Sequence, residues 1–158
     1  MPKKADSTSQ DGIYETEVWV TRFKSALSEG KIFVFFDGDC MLCNRFVAWV
    51  VSNDPHDRVF FAPLQGETAL RILEPEERLS MESVLVITKE GKFKESEAIA
   101  EVLSVLPGWQ IWAEPLRWTP FRIRDFVYRL IARQRKKWFG EAPECPMPFR
   151  DQAHRLWK

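Results

Sequence analysis

Residues 31–36 read Lys-Ile-Phe-Val-Phe-Phe, and residues 37–43 read Asp-Gly-Asp-Cys-Met-Leu-Cys. Five consecutive apolar residues rich in aromatic and β-branched types predict a strand that is buried on both faces, as in a parallel sheet. Loops at the carboxyl ends of such strands are where open α/β sheets bind ligands and react. Two cysteines, two acids and a glycine directly after this strand therefore predict a functional site.

Helical and strand patterns alternate along the rest of the chain. Further strands are predicted at residues 58–62, at 83–88 and around Phe93, and helices at 44–53, 67–73 and 96–106. Two right-handed β-α-β crossovers would make the first strands parallel, and a tight turn would make the fourth antiparallel. This is the element order of the thioredoxin fold. We expect a thioredoxin-like three-layer α/β/α sandwich with a mixed four-stranded sheet.

Segments outside this core set the expected domain organisation. Residues 1–12 are polar and predict a flexible tail, and residues 13–30 predict an N-terminal helix that ends at Gly30. The thioredoxin-like domain is expected over 31–148, including a basic helix at about 121–139 with the apolar stripe Ile123, Phe126, Val127, Leu130 and Ile131. A loop rich in Trp and Pro would precede that helix, and residues 149–158 would form a C-terminal tail.

Charge and hydropathy restrict the possible partners. The chain of 158 residues has 23 basic and 23 acidic residues, so no nucleic-acid partner is expected. Residues 117–137 contain eight basic residues and one acid, and this basic stretch could contact an anionic surface. The polar N-terminus has no signal-peptide pattern, and no apolar run is long enough to cross a bilayer. We therefore expect a cytoplasmic protein with no transmembrane segment.

Cysteines three positions apart at the start of a helix suit thiol-disulfide exchange. Asp39 is predicted to cap the helix by accepting hydrogen bonds from the amides of Met41 or Leu42. Cys40 would then lie where the helix dipole lowers a thiol pKa, which makes it the expected nucleophile, with Cys43 as the resolving thiol. The negative charge of Asp39 would oppose this activation.

The neighbouring residues have supporting or additional expected roles. Asp37 could accept the proton of Cys43, and Asp37-Gly38 also suits a turn. Cys145, in a proline-bounded segment, is a possible additional thiol. The exchange chemistry needs no cofactor and no metal ion.

Three alternatives use the same residues. Cys40 and Cys43 could bind structural zinc with His56, although the second histidine of a finger-like pattern is absent after it. Cys145 or His154 could supply the missing ligand from far along the chain. Asp37 and Asp39 have the D-x-D spacing of haloacid-dehalogenase-type phosphatases, with Thr88 imitating a second motif, but the later acidic pair of a magnesium site is missing. The third alternative is a non-catalytic thioredoxin-like interaction module.

The stretch Asp37-Gly38-x-Cys40-x-Leu42-Cys43 resembles the signature of the DCC family of predicted thiol-disulfide oxidoreductases, named for its Asp, Cys and Cys. The resemblance extends to Phe61-Ala-Pro-Leu-Gln65, to Ser96-Glu-Ala98, to residues 127–135 and to Cys145. It implies a thioredoxin-like fold and a redox role for Cys40 and Cys43, with Asp37 as the third signature residue. The expected partners are a disulfide-containing protein or a small thiol substrate and a separate reductant.

Overall fold

The computed structural model describes residues 8–79, 84–141 and 150–157. Within these ranges the chain forms four strands and seven α-helices, and a short 3-10 helix follows them. In chain order the elements are α1 Thr8–Ser28, β1 Ile32–Phe36, α2 Met41–Asn53, β2 Val59–Pro63, α3 Glu67–Ile72, α4 Pro75–Leu79, β3 Leu85–Ile87, β4 Lys92–Lys94, α5 Glu95–Val105, α6 Gln110–Trp118, α7 Phe121–Phe139 and the 3-10 helix Arg150–Arg155.

The four strands form one mixed sheet in the order β2-β1-β3-β4, which confirms the predicted sheet. β1 is parallel to β2, and β4 is antiparallel to β3. The expectation that two crossovers would make the first strands all parallel is wrong for β3, which runs antiparallel to β1. The connection differs from that of a parallel β-α-β unit, which usually has one crossover helix. The described part of residues 64–84 instead contains two short helices, α3 and α4.

The core has two halves, one on each face of the sheet. Alternate residues of β1 point to opposite faces, so that Val34 and Phe36 belong to one half and Phe33 and Phe35 to the other. α2 and α5 cover the first face, and α1 and α3 cover the second. This arrangement confirms the predicted α/β fold class with helices on both faces.

α1 begins at Thr8, inside the stretch that the sequence analysis assigned to a flexible tail. Its Phe23 is 6% exposed, and the Phe23 and Phe33 ring centroids are 4.3 Å apart. This contact fixes the helix on the second face of the sheet. Gly30, with φ +79°, follows the helix end as predicted.

The C-terminal segment is not the tail that was predicted for residues 149–158. Arg155 is 1% exposed and its guanidinium pairs with the carboxylate of Asp54. The backbone N–H of Trp157 donates a hydrogen bond to the Phe61 carbonyl oxygen over 2.8 Å. The segment therefore packs along β2, through long-range contacts that a local sequence pattern does not encode.

Two helices lie beyond α5. The predicted loop rich in Trp and Pro contains α6, whose Ala113 is 2% exposed and packs inward. α7 corresponds to the predicted basic helix, but its predicted apolar stripe is not buried: Phe126 is 68% exposed and Leu130 is 49% exposed. Within the described ranges, no helix has the length and hydropathy needed to span a membrane.

Candidate functional site

The candidate site forms where β1 passes into α2. Cys40, in extended conformation with φ −95° and ψ 117°, is the N-cap residue of α2, and its Sγ accepts a hydrogen bond from the Cys43 backbone N–H over 3.4 Å. The prediction that Asp39 caps this helix is wrong. The carboxylate of Asp37 accepts the Asp39 backbone N–H over 3.1 Å, so the chain turns there and the helix begins one residue later.

The two thiols lie together in a buried environment. Cys40 is 0% exposed, Cys43 is 5% exposed, and both are free thiols. A hydrogen bond from the Cys43 side chain, together with the Cys43 N–H and the charge of Arg135, lowers the pKa of Cys40 to about 6, although burial and Asp37 oppose this shift. The same thiol-thiol hydrogen bond and burial raise the pKa of Cys43. The two shifts have opposite directions, so the site favours a thiolate at Cys40 and a protonated thiol at Cys43.

Arg135 is a site residue that the sequence analysis missed. It lies on α7, yet its side chain is only 6% exposed. Its Nη1 is 3.6 Å from Cys43 Sγ, and its Nη2 donates to Asp37 Oδ2 over 3.0 Å. In the sequence Arg135 belonged to the basic stretch and ended the segment 127–135 of the family resemblance, but neither pattern gave it a role. Helical periodicity places it on the same face as Tyr128.

Asp37 is held on three sides. Its Oδ1 accepts hydrogen bonds from the Gln65 side-chain amide over 3.0 Å and from the Asp39 N–H, and its Oδ2 accepts the Arg135 guanidinium. Gln65 also accepts the Gly38 backbone N–H over 3.3 Å. Asp37 is 2% exposed, so its charge is compensated mainly by Arg135. The guanidinium lies between this carboxylate and the Cys43 thiol.

The chain that leaves α7 passes over Cys40. Gly140, with φ +80°, ends the helix, and its carbonyl oxygen is 3.5 Å from the Met41 backbone N–H. Glu141 then forms an isolated β-bridge with Cys40. Cys145, the possible additional thiol, lies outside the described residues.

An apolar cavity of about 210 Å³ adjoins the Cys43 side chain. It lies between α2, α5 and α7, and Arg135 is among its lining residues. Apolar cavities of about 150 Å³ bind a single benzene ring, so this volume accommodates an aromatic ring or a branched aliphatic group. The lining residues are Leu42, Cys43, Phe46, Val84, Ile99, Tyr128, Ile131, Ala132 and Arg135.

Tyr128 connects this cavity to the start of β3. Its hydroxyl oxygen accepts a hydrogen bond from the Val84 backbone N–H over 2.8 Å, and burial raises its pKa to about 12. We expect Tyr128→Phe to lower the free energy of unfolding by about 1–3 kcal/mol, because a buried N–H loses its partner. Urea denaturation measures this loss. Ser52→Ala, which removes an exposed hydroxyl from α2, is the control, and an equal effect of both substitutions would contradict the assignment.

The structure separates two residues of the phosphatase-like alternative. Thr88 follows β3, which runs antiparallel to β1, so Thr88 lies beside the start of β1 and away from Asp37 at its end. The phosphatase-like pairing of these residues is therefore wrong. Among the described residues, no group of three His, Cys, Asp or Glu side chains is placed to hold a metal ion.

Comparisons with known proteins relate the chain to one family. A family model described as DCC1-like thiol-disulfide oxidoreductase matches residues 34–141. The uncharacterized protein YuxK of Bacillus subtilis (strain 168) is 34% identical over 120 residues, which cover 73% of this chain and 85% of YuxK. A chloroplastic DCC family protein of Arabidopsis thaliana is 31% identical over 134 residues, which cover 82% of this chain and 77% of the relative. No solved structure is significantly similar to the chain.

Proposed function

This chain belongs to the DCC1-like thiol-disulfide oxidoreductase family, and on that basis we propose that it exchanges disulfides through Cys40 and Cys43. The observation that carries the proposal is the position of Cys40 at the N-cap of α2. There its sulfur accepts the Cys43 N–H and lies beside the second thiol. A sulfur so placed is stabilised as a thiolate, which is the form that attacks disulfides.

The exchange proceeds in two steps that balance in atoms and electrons. The Cys40 thiolate attacks a substrate R–S–S–R, which forms Cys40–S–S–R and releases R–S⁻. Cys43 then loses its proton, and its thiolate attacks Cys40 Sγ, which releases the second R–S⁻. The protein dithiol is thereby oxidised to a disulfide by two electrons, and the substrate is reduced to two thiols. A separate thiol reductant would regenerate the dithiol.

Arg135 and Asp37 support this chemistry as a pair. The guanidinium lowers the pKa of both cysteines, and it would therefore assist formation of the Cys43 thiolate in the second step. Asp37 holds the guanidinium in place through the 3.0 Å contact. The role of Asp37 as proton acceptor for Cys43 stays a prediction, as do the supporting roles of Gly38 and Asp39.

The substrate class and the cellular compartment also belong to the proposal. A disulfide-containing protein or a small thiol compound remains the expected partner, and a cytoplasmic location remains a prediction. The cavity beside Cys43 favours a substrate with an apolar group, because its lining is almost entirely apolar.

A redox titration of the full-length chain tests the proposal. We expect Cys40 and Cys43 to form one disulfide reversibly in a thiol-disulfide buffer, counted by mass spectrometry after alkylation. Cys43→Ser should accumulate a mixed disulfide on Cys40 when treated with bis(2-hydroxyethyl) disulfide, because the resolving thiol is absent.

Cys145→Ser is the matched control, since it removes the third cysteine and leaves the pair intact. It should titrate like the unsubstituted chain. If the pair never forms a disulfide at any buffer potential, the exchange proposal is wrong and a non-catalytic module becomes the better interpretation.

A further inference from the structure

α6 and α7 present an apolar surface that no described residue covers. Nine large apolar side chains there are between 48% and 85% exposed. Monomeric folds seldom expose so many large apolar side chains on neighbouring elements without a binding role. We call this surface the α6–α7 apolar face; it consists of Ile111, Trp112, Trp118, Phe121, Ile123, Phe126, Val127, Leu130 and Trp138.

α7 has two faces with different chemistry. Tyr128, Ala132 and Arg135 follow one another at helical spacing and line the cavity beside Cys43. Phe126 and Leu130 lie on the opposite side of the helix and are exposed. One face of the helix therefore completes the cysteine site, and the other is available for binding.

Positive charge flanks the apolar face. Arg122, Arg133 and Lys137 are exposed, and none of them has an ion pair among the residues that the structure describes. Arg129 pairs with Glu95 over 2.8 Å, at the margin of the same surface. Residues 117–137 carry a net charge of +7 in a chain whose overall net charge is zero, but five of their eight basic side chains pair with carboxylates. The positive charge that is left without an ion pair in the described residues is therefore that of Arg122, Arg133 and Lys137.

From this combination we propose that the α6–α7 apolar face binds membranes that contain anionic lipids. An exposed helix with Trp, Phe and Leu beside Arg and Lys suits the boundary between headgroups and acyl chains. The apolar side chains would enter this boundary, and Arg122, Arg133 and Lys137 would contact lipid phosphates.

The charge pattern also distinguishes a lipid surface from a second copy of the chain. A two-fold dimer through this face would place the same basic residues of both copies in one interface. Like charges would then repel one another, whereas an anionic bilayer supplies the complementary charge. The proposal does not depend on the exchange chemistry, since none of the nine apolar residues lines the cavity beside Cys43.

Vesicle sedimentation with the full-length chain tests the proposal. We expect binding to phosphatidylcholine vesicles that contain phosphatidylglycerol and little binding to phosphatidylcholine alone. The variant Arg122→Gln/Arg133→Gln/Lys137→Gln should bind the anionic vesicles at least about tenfold more weakly, because each basic residue contributes to attraction at such a surface. Phe126→Gln/Leu130→Gln should weaken binding similarly.

Val18→Gln is the matched control, because Val18 is 65% exposed on α1, away from the face. It should bind like the unsubstituted chain, and unchanged circular dichroism should show that all variants fold. Equal binding to neutral and anionic vesicles, or no binding to either, would overturn the proposal. So would a dimer, detected by sedimentation, that Phe126→Gln/Leu130→Gln dissociates, since the face would then join two copies.

Discussion

Alkylation of Cys40 in the reduced protein should rise with pH along a curve centred near pH 6. The pKa of this thiol is lowered from 9.0 to about 6, first by the hydrogen bond from Cys43. Only the thiolate reacts, so the rate should be constant above pH 7 and fall on acidification below pH 6. At pH 7 a thiol of pKa about 6 is about 90% ionised, against about 1% for an unperturbed cysteine, which is a difference of about 90-fold.

The measurement is the rate of iodoacetamide labelling of Cys40, read by mass spectrometry in the Cys145→Ser background. Because Cys40 is buried, its absolute labelling rate also depends on access of the reagent to the sulfur. The pKa is therefore read from the change in rate with pH. Cys43→Ala should shift the midpoint upward, since it removes the hydrogen-bond donor, whereas Cys43→Ser retains a donor and should shift it less. A midpoint near pH 9 in the unsubstituted pair would contradict the proposed activation.

Disulfide exchange should be lost in the variant Cys40→Ser. The serine hydroxyl keeps the N-cap hydrogen bond of α2, but it cannot form a mixed disulfide with the substrate.

The fold could be predicted from the sequence wherever local pattern decides structure. The apolar run of β1 and the alternation of helices and strands were sufficient to predict the layers of the fold and the mixed sheet. The direction of β3 was not predictable from strand patterns alone, because it depends on how the chain between β2 and β3 folds, here into the two short helices α3 and α4. Arg155 and Trp157 were misjudged for a similar reason, since their partners Asp54 and Phe61 are about a hundred positions away.

In the candidate site, too, residues close in sequence were predicted and residues far apart in sequence were not. Asp37, Cys40 and Cys43 lie within seven residues, and their spacing at a helix start was visible in the sequence. The identity of the capping residue was not visible, because it depends on the turn in which the Asp37 carboxylate accepts the Asp39 amide. Arg135 lies 92 positions after Cys43, so only the tertiary packing of α7 brings its guanidinium to the sulfur.

Replacement of Arg135 should have the largest effect of any substitution outside the cysteines. Arg135→Met leaves the buried carboxylate of Asp37 without its cation, and breaking a buried pair in this way costs about 3–5 kcal/mol of unfolding free energy. It also removes a positive charge that lowers the pKa of Cys40, so the midpoint of the alkylation curve should move upward. Urea denaturation and the alkylation curve measure the two effects separately.

Two further variants separate a site-specific effect from a general one. Arg133→Met removes an exposed arginine from the same helix and should leave both measurements unchanged. The double variant Asp37→Asn/Arg135→Met should recover part of the lost stability, because no uncompensated charge remains buried. It should not restore the low pKa of Cys40 fully, since the guanidinium is still missing. If Arg135→Met shifted neither stability nor the alkylation midpoint, Arg135 would not be part of the site. If Arg133→Met shifted both, the effect would arise from α7 as a whole and not from the Arg135 side chain.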